Sequence, residues 1–217
     1  VQTPDALDPA LLTAASPWGV PLRVLEETTS SNDELLMLGE RGAPEGSLIF
    51  AERQTAGRGQ FRRPWSSAPG LGLWFSLLLR MEISDDTIPS LSAFAAVALA
   101  ETLGSLGIAG ARIKAPNDLL VGGKKVAGIL VETRPGRDSF AVVGIGLNVN
   151  HGPGDFPEEL RDRAASLAMI TGSRFDRSGV AASLLGDLGK AERLMRDSPA
   201  ELLAVWRRYL LNPGKSE

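Results

Sequence analysis

Between residues 47 and 149 the chain keeps returning to short apolar runs of strand length, and after residue 157 it turns helical. That succession constrains the fold more than any composition figure. Strands gathered mid-chain with helices clustered behind them predict an α+β domain, a mixed β-sheet with helices packed on one face. The strand-length runs are Val20–Glu26, Ser47–Ala51, Leu71–Leu79, Arg112–Ala115, Leu119–Val121, Lys124–Glu132 and Asp138–Val149. Gly122-Gly123 joins two of them as a hairpin, since adjacent glycines allow φ > 0 at both turn positions. Helices are expected at Pro9–Ala15, at Glu34–Glu40 behind several N-cap candidates (Ser30 to Asp33), and at Thr87–Leu106, which ends at Gly107. Pro157–Leu210 reads as helical throughout, with a break near Gly172.

Gln54–Gly70 breaks the pattern. It has no periodicity and concentrates Gly, Arg, Pro and Trp, the signature of a long functional loop inside a compact domain. In Gln54-Thr55-Ala56-Gly57-Arg58-Gly59-Gln60-Phe61-Arg62-Arg63-Pro64-Trp65, two glycines flank an arginine. Backbone N–H groups can then approach an anion, a guanidinium adds charge-assisted bonds, and Trp65 offers a flat face to a heterocycle. The competing explanation is a surface loop with solvated arginines and a packed tryptophan. Three further segments stand out, each with a plain alternative. Lys114-Ala115-Pro116-Asn117-Asp118 is also ordinary turn chemistry. Lys125 is also a solvated hairpin lysine beside Lys124. Gly144-Ile145-Gly146 puts two glycines on one strand face, where a ligand can come close or a bulge can form.

Composition narrows the chemistry. The 217 residues include no cysteine and one histidine, His151, which excludes thiolate chemistry, disulfides and multi-histidine metal sites. A formal charge of −3 advertises no global attraction to nucleic acid. Val1-Gln2-Thr3-Pro4 opens no signal peptide, and no apolar stretch suggests a membrane span, so a cytoplasmic protein is expected. A phosphate-loop imitation and a dinucleotide-fingerprint imitation both fail. Gly214-Lys215-Ser216 lacks the first glycine and a following helix, and Gly144-Ile145-Gly146 has Val149 where the third glycine belongs. His151 in His-Gly-Pro-Gly reads as a solvated loop residue.

In order along the chain stand Ser30-Ser31-Asn32, Gln-Thr-Ala-Gly-Arg-Gly…Arg-x-Trp, Lys-x-Pro-Asn-Asp, Lys-x-Ala-Gly-Ile-Leu-x-Glu and Gly-Ile-Gly-Leu-Asn-Val-Asn. This series resembles the catalytic domain of biotin–protein ligases, from about Leu25 to Leu210. The resemblance implies a fold like class II aminoacyl-tRNA synthetases and biotin–lipoyl ligases, with an arm over 1–18, a catalytic domain over 19–211 and a tail over 212–217. It implies ATP-dependent ligation of biotin to a lysine of a biotin carboxyl carrier protein through biotinyl-5′-adenylate. Magnesium is implied on the ATP phosphates, and no residue is assigned as its ligand.

The resemblance also distributes roles. Ser30, Ser31 and Gln54 would bond the biotin head group, with Gly57 and Arg58 at its carboxylate end. Lys125 would be the catalytic lysine and Arg58 would also meet the α-phosphate. Gly128, Gly144 and Gly146 would wall the biotin pocket. Trp65 would stack on adenine, Asn117 and Asn148 would contact the nucleotide, and Arg63 would hold the loop or the phosphates; Asp118 is the least supported assignment.

The chain departs from the family pattern at Ala115, where tryptophan is usual, and at Gln60 and Arg62, where an arginine and a glycine often stand. Losing the cation at position 60 implies looser retention of the adenylate. About twenty residues before the first strand and seven after Leu210 leave no room for the family's helix-turn-helix or terminal β-barrel, so DNA binding is not expected. Homodimerisation through the central sheet is common in the family, and nothing in this sequence establishes it. The competing functions are a lipoate or octanoate protein ligase, a biotin-binding relative with little ligase activity, and a single-stranded nucleic-acid binder using Arg53, Arg58, Phe61, Arg62, Arg63 and Trp65.

Overall fold

The computed structural model describes residues 5–20 and 22–211. The readings of Val1–Pro4, of Gly214-Lys215-Ser216 and of a 212–217 tail lie outside those residues.

Seven strands form one sheet in the order β1-β2-β3-β7-β6-β5-β4. They are β1 (Leu22–Thr28), β2 (Leu48–Gln54), β3 (Gly72–Arg80), β4 (Ala111–Lys114), β5 (Asp118–Val121), β6 (Lys124–Arg134) and β7 (Phe140–Asn148). β1 and β2 run parallel and every other pair is antiparallel, so the sheet is mixed as expected. Side chains alternate across a pleated strand, and the sequence uses both faces. Leu73, Phe75, Leu77 and Leu79 of β3, with Val143, Ile145 and Leu147 of β7, enter the main core. Helices α1 (Pro9–Ala15), α3 (Thr87–Ser105) and α5 (Arg177–Asp197) cover that face, joined by α6 (Pro199–Tyr209).

Among the described residues the opposite face carries one helix, α2 (Ser31–Glu40), over a small cluster of Leu35, Leu36, Ile49, Leu78, Phe140 and Val142. Gly39 lets it sit close, because a Cβ there would lie 2.4 Å from the Phe140 ring. The rest of that face is left open.

Helix α3 is long and, on average, apolar enough to cross a membrane, although Ser90, Ser92, Glu101 and Thr102 interrupt its apolar run. Its apolar residues serve a core instead: Phe94, Leu99 and Leu103 are fully buried, and alanines between them let neighbours approach from several sides. Residues 5–18 of the N-terminal arm pack against the domain. Leu7 and Leu12 are buried, and Asp5 meets the fully buried Arg177, whose guanidinium also bonds Glu52 and the Gly72 carbonyl.

One helical expectation fails. Pro157–Ser166 contains a single 3₁₀ turn at Glu158–Leu160 and then runs alongside β6. Lys125 N donates to Arg163 O at 2.7 Å and Ala165 N to Lys125 O at 3.0 Å, so beyond a local turn, closed by Ala164 N on Leu160 O at 2.8 Å, this backbone pairs with a strand. Helix α4 (Leu167–Thr171) starts only when Ser166 caps it, and Gly172 ends it at φ 74°. A second break falls at Ser198-Pro199, where proline opens α6 at a position that needs no N–H.

Candidate active site

A cavity of about 510 Å³ opens over the uncovered part of the sheet. Its floor is built from the alternate residues of three adjacent strands, with Gly128 on β6 and Gly144 and Gly146 on β7. One rim is the start of α2 with Ser30, Ser31 and Asn32, and beside it stands Gln54, the last residue of β2. The loop supplies Arg58, Gln60, Phe61, Arg63 and Trp65, and the β4–β5 turn and hairpin supply Asn117, Asp118 and Lys125. Asn148 and the 160–164 segment close the far side. All the predicted site residues therefore line one cavity, except Gly57. Gly57 is buried behind the lining, where its carbonyl accepts from Trp65 N at 2.8 Å and a Cβ would meet Trp65 O at 2.8 Å.

The sequence pattern of the biotin/lipoate A/B protein ligase family matches residues 24–150, more than half of the chain. The chain belongs to this family. Among similar proteins, the bifunctional ligase/repressor BirA of Bacillus subtilis is 40% identical over 194 residues, 88% of this chain and 59% of that protein. A biotin–[acetyl-CoA-carboxylase] ligase of Mycobacterium tuberculosis is 33% identical over 222 residues, covering 94% of this chain and 76% of its own length. The biotin protein ligase of Aquifex aeolicus, solved with biotin and ATP, superposes with a TM-score of 0.77 at 32% identity, covering 89% of this chain and 80% of that one. The chain spans a little over half the length of the Bacillus relatives it matches.

Within this biotin/lipoate ligase fold the two cations are held by carboxylates. Lys125 Nζ lies 2.5 Å from Asp118 Oδ1 and 5.0 Å from the centre of the Trp65 ring, a cation–π distance. Arg58 grips Asp33 with both terminal nitrogens, at 2.6 and 2.5 Å, and comes within 3.6 Å of Glu132. The Asp33 hydrogen bond raises the Arg58 pKa, and in return Arg58 holds the Asp33 carboxyl below the ordinary carboxylate range. A guanidinium has five donors and an ammonium three, so each keeps N–H bonds for a ligand.

Trp65 does not face open space. Its indole covers Gly128 and Gly146, where a Cβ would lie 2.6 and 2.5 Å from ring atoms, and it meets Trp74 edge-on at 6.2 Å. Its Nε1 is buried without a partner. The asparagines brace the walls: Asn117 donates to Ile129 O at 2.9 Å and Asn148 to Ala165 O at 3.1 Å. Phe61 and Arg62 both take φ 57°, a left-handed backbone that costs L-residues about 1–2 kcal/mol each. Arg62 stands where the family often has glycine, and that backbone is what glycine would relieve.

His151 is a correction. It is buried, stacked on Phe156 at 4.8 Å and edge-on to Trp74 at 5.8 Å, and desolvation lowers its pKa to about 4. Phe156, five residues on, and Trp74, distant in sequence, enclose it, and the glycines and proline between His151 and Phe156 gave no hint of that burial.

Sequence reasoning also missed a buried polar network. Ser76 Oγ is 2.5 Å from Asn32 Oδ1 and 2.7 Å from Ser31 Oγ, and Asn32 Nδ2 donates to Glu132 Oε2 at 2.8 Å. Gln54 Oε1 accepts from Ser31 N at 2.8 Å, and its Nε2 donates to Ser67 Oγ at 3.0 Å. One hydroxyl inside the apolar run Leu71–Leu79 was the available signal. Among the described residues no group of three or more His, Asp or Glu gathers that could hold a metal ion.

Proposed function

We propose that the chain ligates biotin, at the expense of ATP, to a lysine of a biotin carboxyl carrier protein. The observation that carries this reading is the convergence of Lys125 and Arg58 on a glycine-floored cavity with Ser31 and Gln54 at one end and Asn117 at the other. Relatives named as biotin ligases at more than 30% identity support biotin over lipoate as the acid.

Two anions must meet in the first step. A carboxylate oxygen of biotin attacks the α-phosphorus, the bond to the bridging oxygen of the β-phosphate breaks, and pyrophosphate leaves. Lys125 and Arg58 supply fixed positive charge where negative charge accumulates, an electrostatic contribution needing no reorganisation. In the second step the acceptor lysine's neutral amine attacks the acyl carbon, AMP departs and the amide forms with release of a proton. Magnesium would arrive on the polyphosphate, where it offsets charge on the leaving pyrophosphate. Ser30, Ser31 and Gln54 serve the head group, Gly128, Gly144 and Gly146 give it room, and Arg63, Asn117 and Asn148 serve the nucleotide side. Trp65 would have to leave Gly128 and Gly146 before it could stack on adenine. The reading implies a cytoplasmic enzyme supplied with ATP. It concerns ligation only, and not the repressor function in the names of some relatives.

Biotin-dependent exchange of pyrophosphate into ATP tests it, repeated with lipoate in place of biotin and with Lys125→Ala. Exchange with biotin and not with lipoate is expected, falling about 10²–10³-fold in the variant, the loss typical of one removed electrostatic stabiliser. Biotin binding without exchange would point to a sensor that does not ligate; lipoate-driven exchange would reassign the substrate.

A further inference from the structure

Lys125 does not reach the cavity by ordinary strand alternation. Ala127, Ile129 and Val131 of β6 belong to the main core or pack against it, and Gly128 among them floors the cavity. Carried back to the start of the strand, that period of two would turn Val126 to the cavity and Lys125 to the core. The reverse is seen. Val126 is fully buried in the main core beside Ala127, while Lys125 lines the cavity with its ammonium over Trp65. Its Cε lies 3.1 Å from where a Cβ would stand on Gly128, so the two residues share a face.

The cause is a bulge. On β5, Leu119 pairs with Ala127 and its neighbour Leu120 with Lys125, which leaves Val126 without a partner. One extra residue reverses the phase of what precedes it and re-aims a side chain. The ladder that would steady this bulge from the other side is missing, since the pairing of β7 with β6 ends at Ala127 opposite Leu147. The 163–165 segment takes the place of β7, lying parallel to β6 with Ala164 opposite Lys125. Lys125 N donates to Arg163 O at 2.7 Å and Ala165 N donates to Lys125 O at 3.0 Å, so both backbone groups of the lysine are held there.

Two buried side chains fasten this segment to the run that follows β7. Asn148 Nδ2 donates to Ala165 O at 3.1 Å, and Ser166 Oγ donates to His151 O at 2.6 Å while accepting from Met169 N at 3.1 Å. Asn148 also lines the cavity, whereas Ser166 is fully buried and does not. We propose that Ser166 is a positioning residue for Lys125: it pins the segment whose backbone holds the bulge, and the bulge turns the ammonium into the site. This rests on the part given to Lys125 in the ligase reading. Without the hydroxyl, Asn148 and the Ala168 N–H on Val149 O still hold the segment, so it slackens without detaching.

The test is a double-mutant cycle on the full chain. Ser166→Ala is made alone and together with Lys125→Ala, and biotin-dependent pyrophosphate exchange is measured at saturating biotin and ATP. Alone, Ser166→Ala slows exchange about tenfold, the worth of one neutral hydrogen bond, with KM for both substrates unchanged. In the Lys125→Ala background the same substitution changes nothing, because the group it positions is gone. An equal loss in both backgrounds, the mark of a merely structural role, overturns the assignment, as does no loss in either. A second readout needs no activity. The chain has five lysines, so ¹³Cε labelling gives few signals, and the one missing from Lys125→Ala is shifted by the Trp65 ring. In Ser166→Ala that signal moves toward those of the exposed Lys114 and Lys190, and an unmoved signal overturns the assignment. Should Ser166→Ala fail to fold, Ser166→Cys, close in size with only a weak donor, takes its place in both measurements. Absence of biotin-dependent exchange in wild type would end the ligase reading, and the lysine signal would still decide whether Ser166 places Lys125.

Discussion

Along β3, Leu73, Phe75, Leu77 and Leu79 belong to the main core, whereas Trp74 and Ser76 lie on the opposite face, toward the cavity side of the sheet. Along β7 the same alternation separates Val143, Ile145 and Leu147 from Gly144, Gly146 and Asn148. The two sets are interleaved residue by residue, yet their chemistry differs. The core set is large and apolar, because there the requirement is filled volume. Apart from Trp74, the cavity set is either side-chain-free, reserving space, or polar with named partners, because a polar group left unpaired away from water costs free energy. One strand thus supports stability and recognition independently, and substitutions on the two faces should separate into two phenotypes.

The largest effect belongs to the core face. Leu77→Ala removes a fully buried side chain, and such truncations cost ~2–5 kcal/mol through lost transfer energy plus a residual cavity. The expected result is a clear fall in the urea midpoint with KM for biotin unmoved. A KM shift as large as that of a cavity-face variant would break the separation.

His151 blurs the division, since it stands behind the cavity-side Trp74 yet acts on stability. The unfolded chain takes up the imidazole proton near pH 6.5 and the folded chain only near 4. The contribution from keeping this residue neutral is therefore full above pH 6.5 and is lost as the pH falls toward 4. The difference corresponds to ~3 kcal/mol at most. Asp155, whose charge favours the protonated form, opposes part of it. Urea midpoints measured from pH 7 down to 4 should fall less steeply for His151→Phe than for wild type. Parallel curves would show that His151 titrates alike in both states.

Much of this was legible in the sequence, and what was not shares a physical cause. The hairpin at Gly122-Gly123, helix α3 and the strand alternation are local, so periodicity and turn chemistry revealed them. The cavity residues were readable because separated motifs each carried an unusual type, such as glycine inside a strand or arginine between glycines. Ser76 was not, because it gains meaning only from Ser31 and Asn32, 45 and 44 residues away. Residues 157–166 misled for the same reason: beyond a local turn their backbone bonds reach Lys125, and no local pattern announces a partner so distant.

Gly144→Ala gives the smallest expected effect on stability and the sharpest test of the two-face contrast. A methyl group at Gly144 would lie 2.2 Å from Asn32 Oδ1, too close for the amide to stay. Asn32 is the first residue after the Ser31 start of α2, so displacing it breaks the bonds to Ser76 and Glu132 while the core face of β7 is untouched. Overpacking of this kind costs ~1–3 kcal/mol, here directed at the site and not at the core. KM for biotin should therefore rise by roughly tenfold, with a smaller fall in urea midpoint than for Leu77→Ala. The adjacent Val143→Ala, on the same strand but facing the core, should do the reverse, lowering the midpoint and sparing KM. If the neighbours behave alike, the strand acts as one unit and the separation of its faces fails.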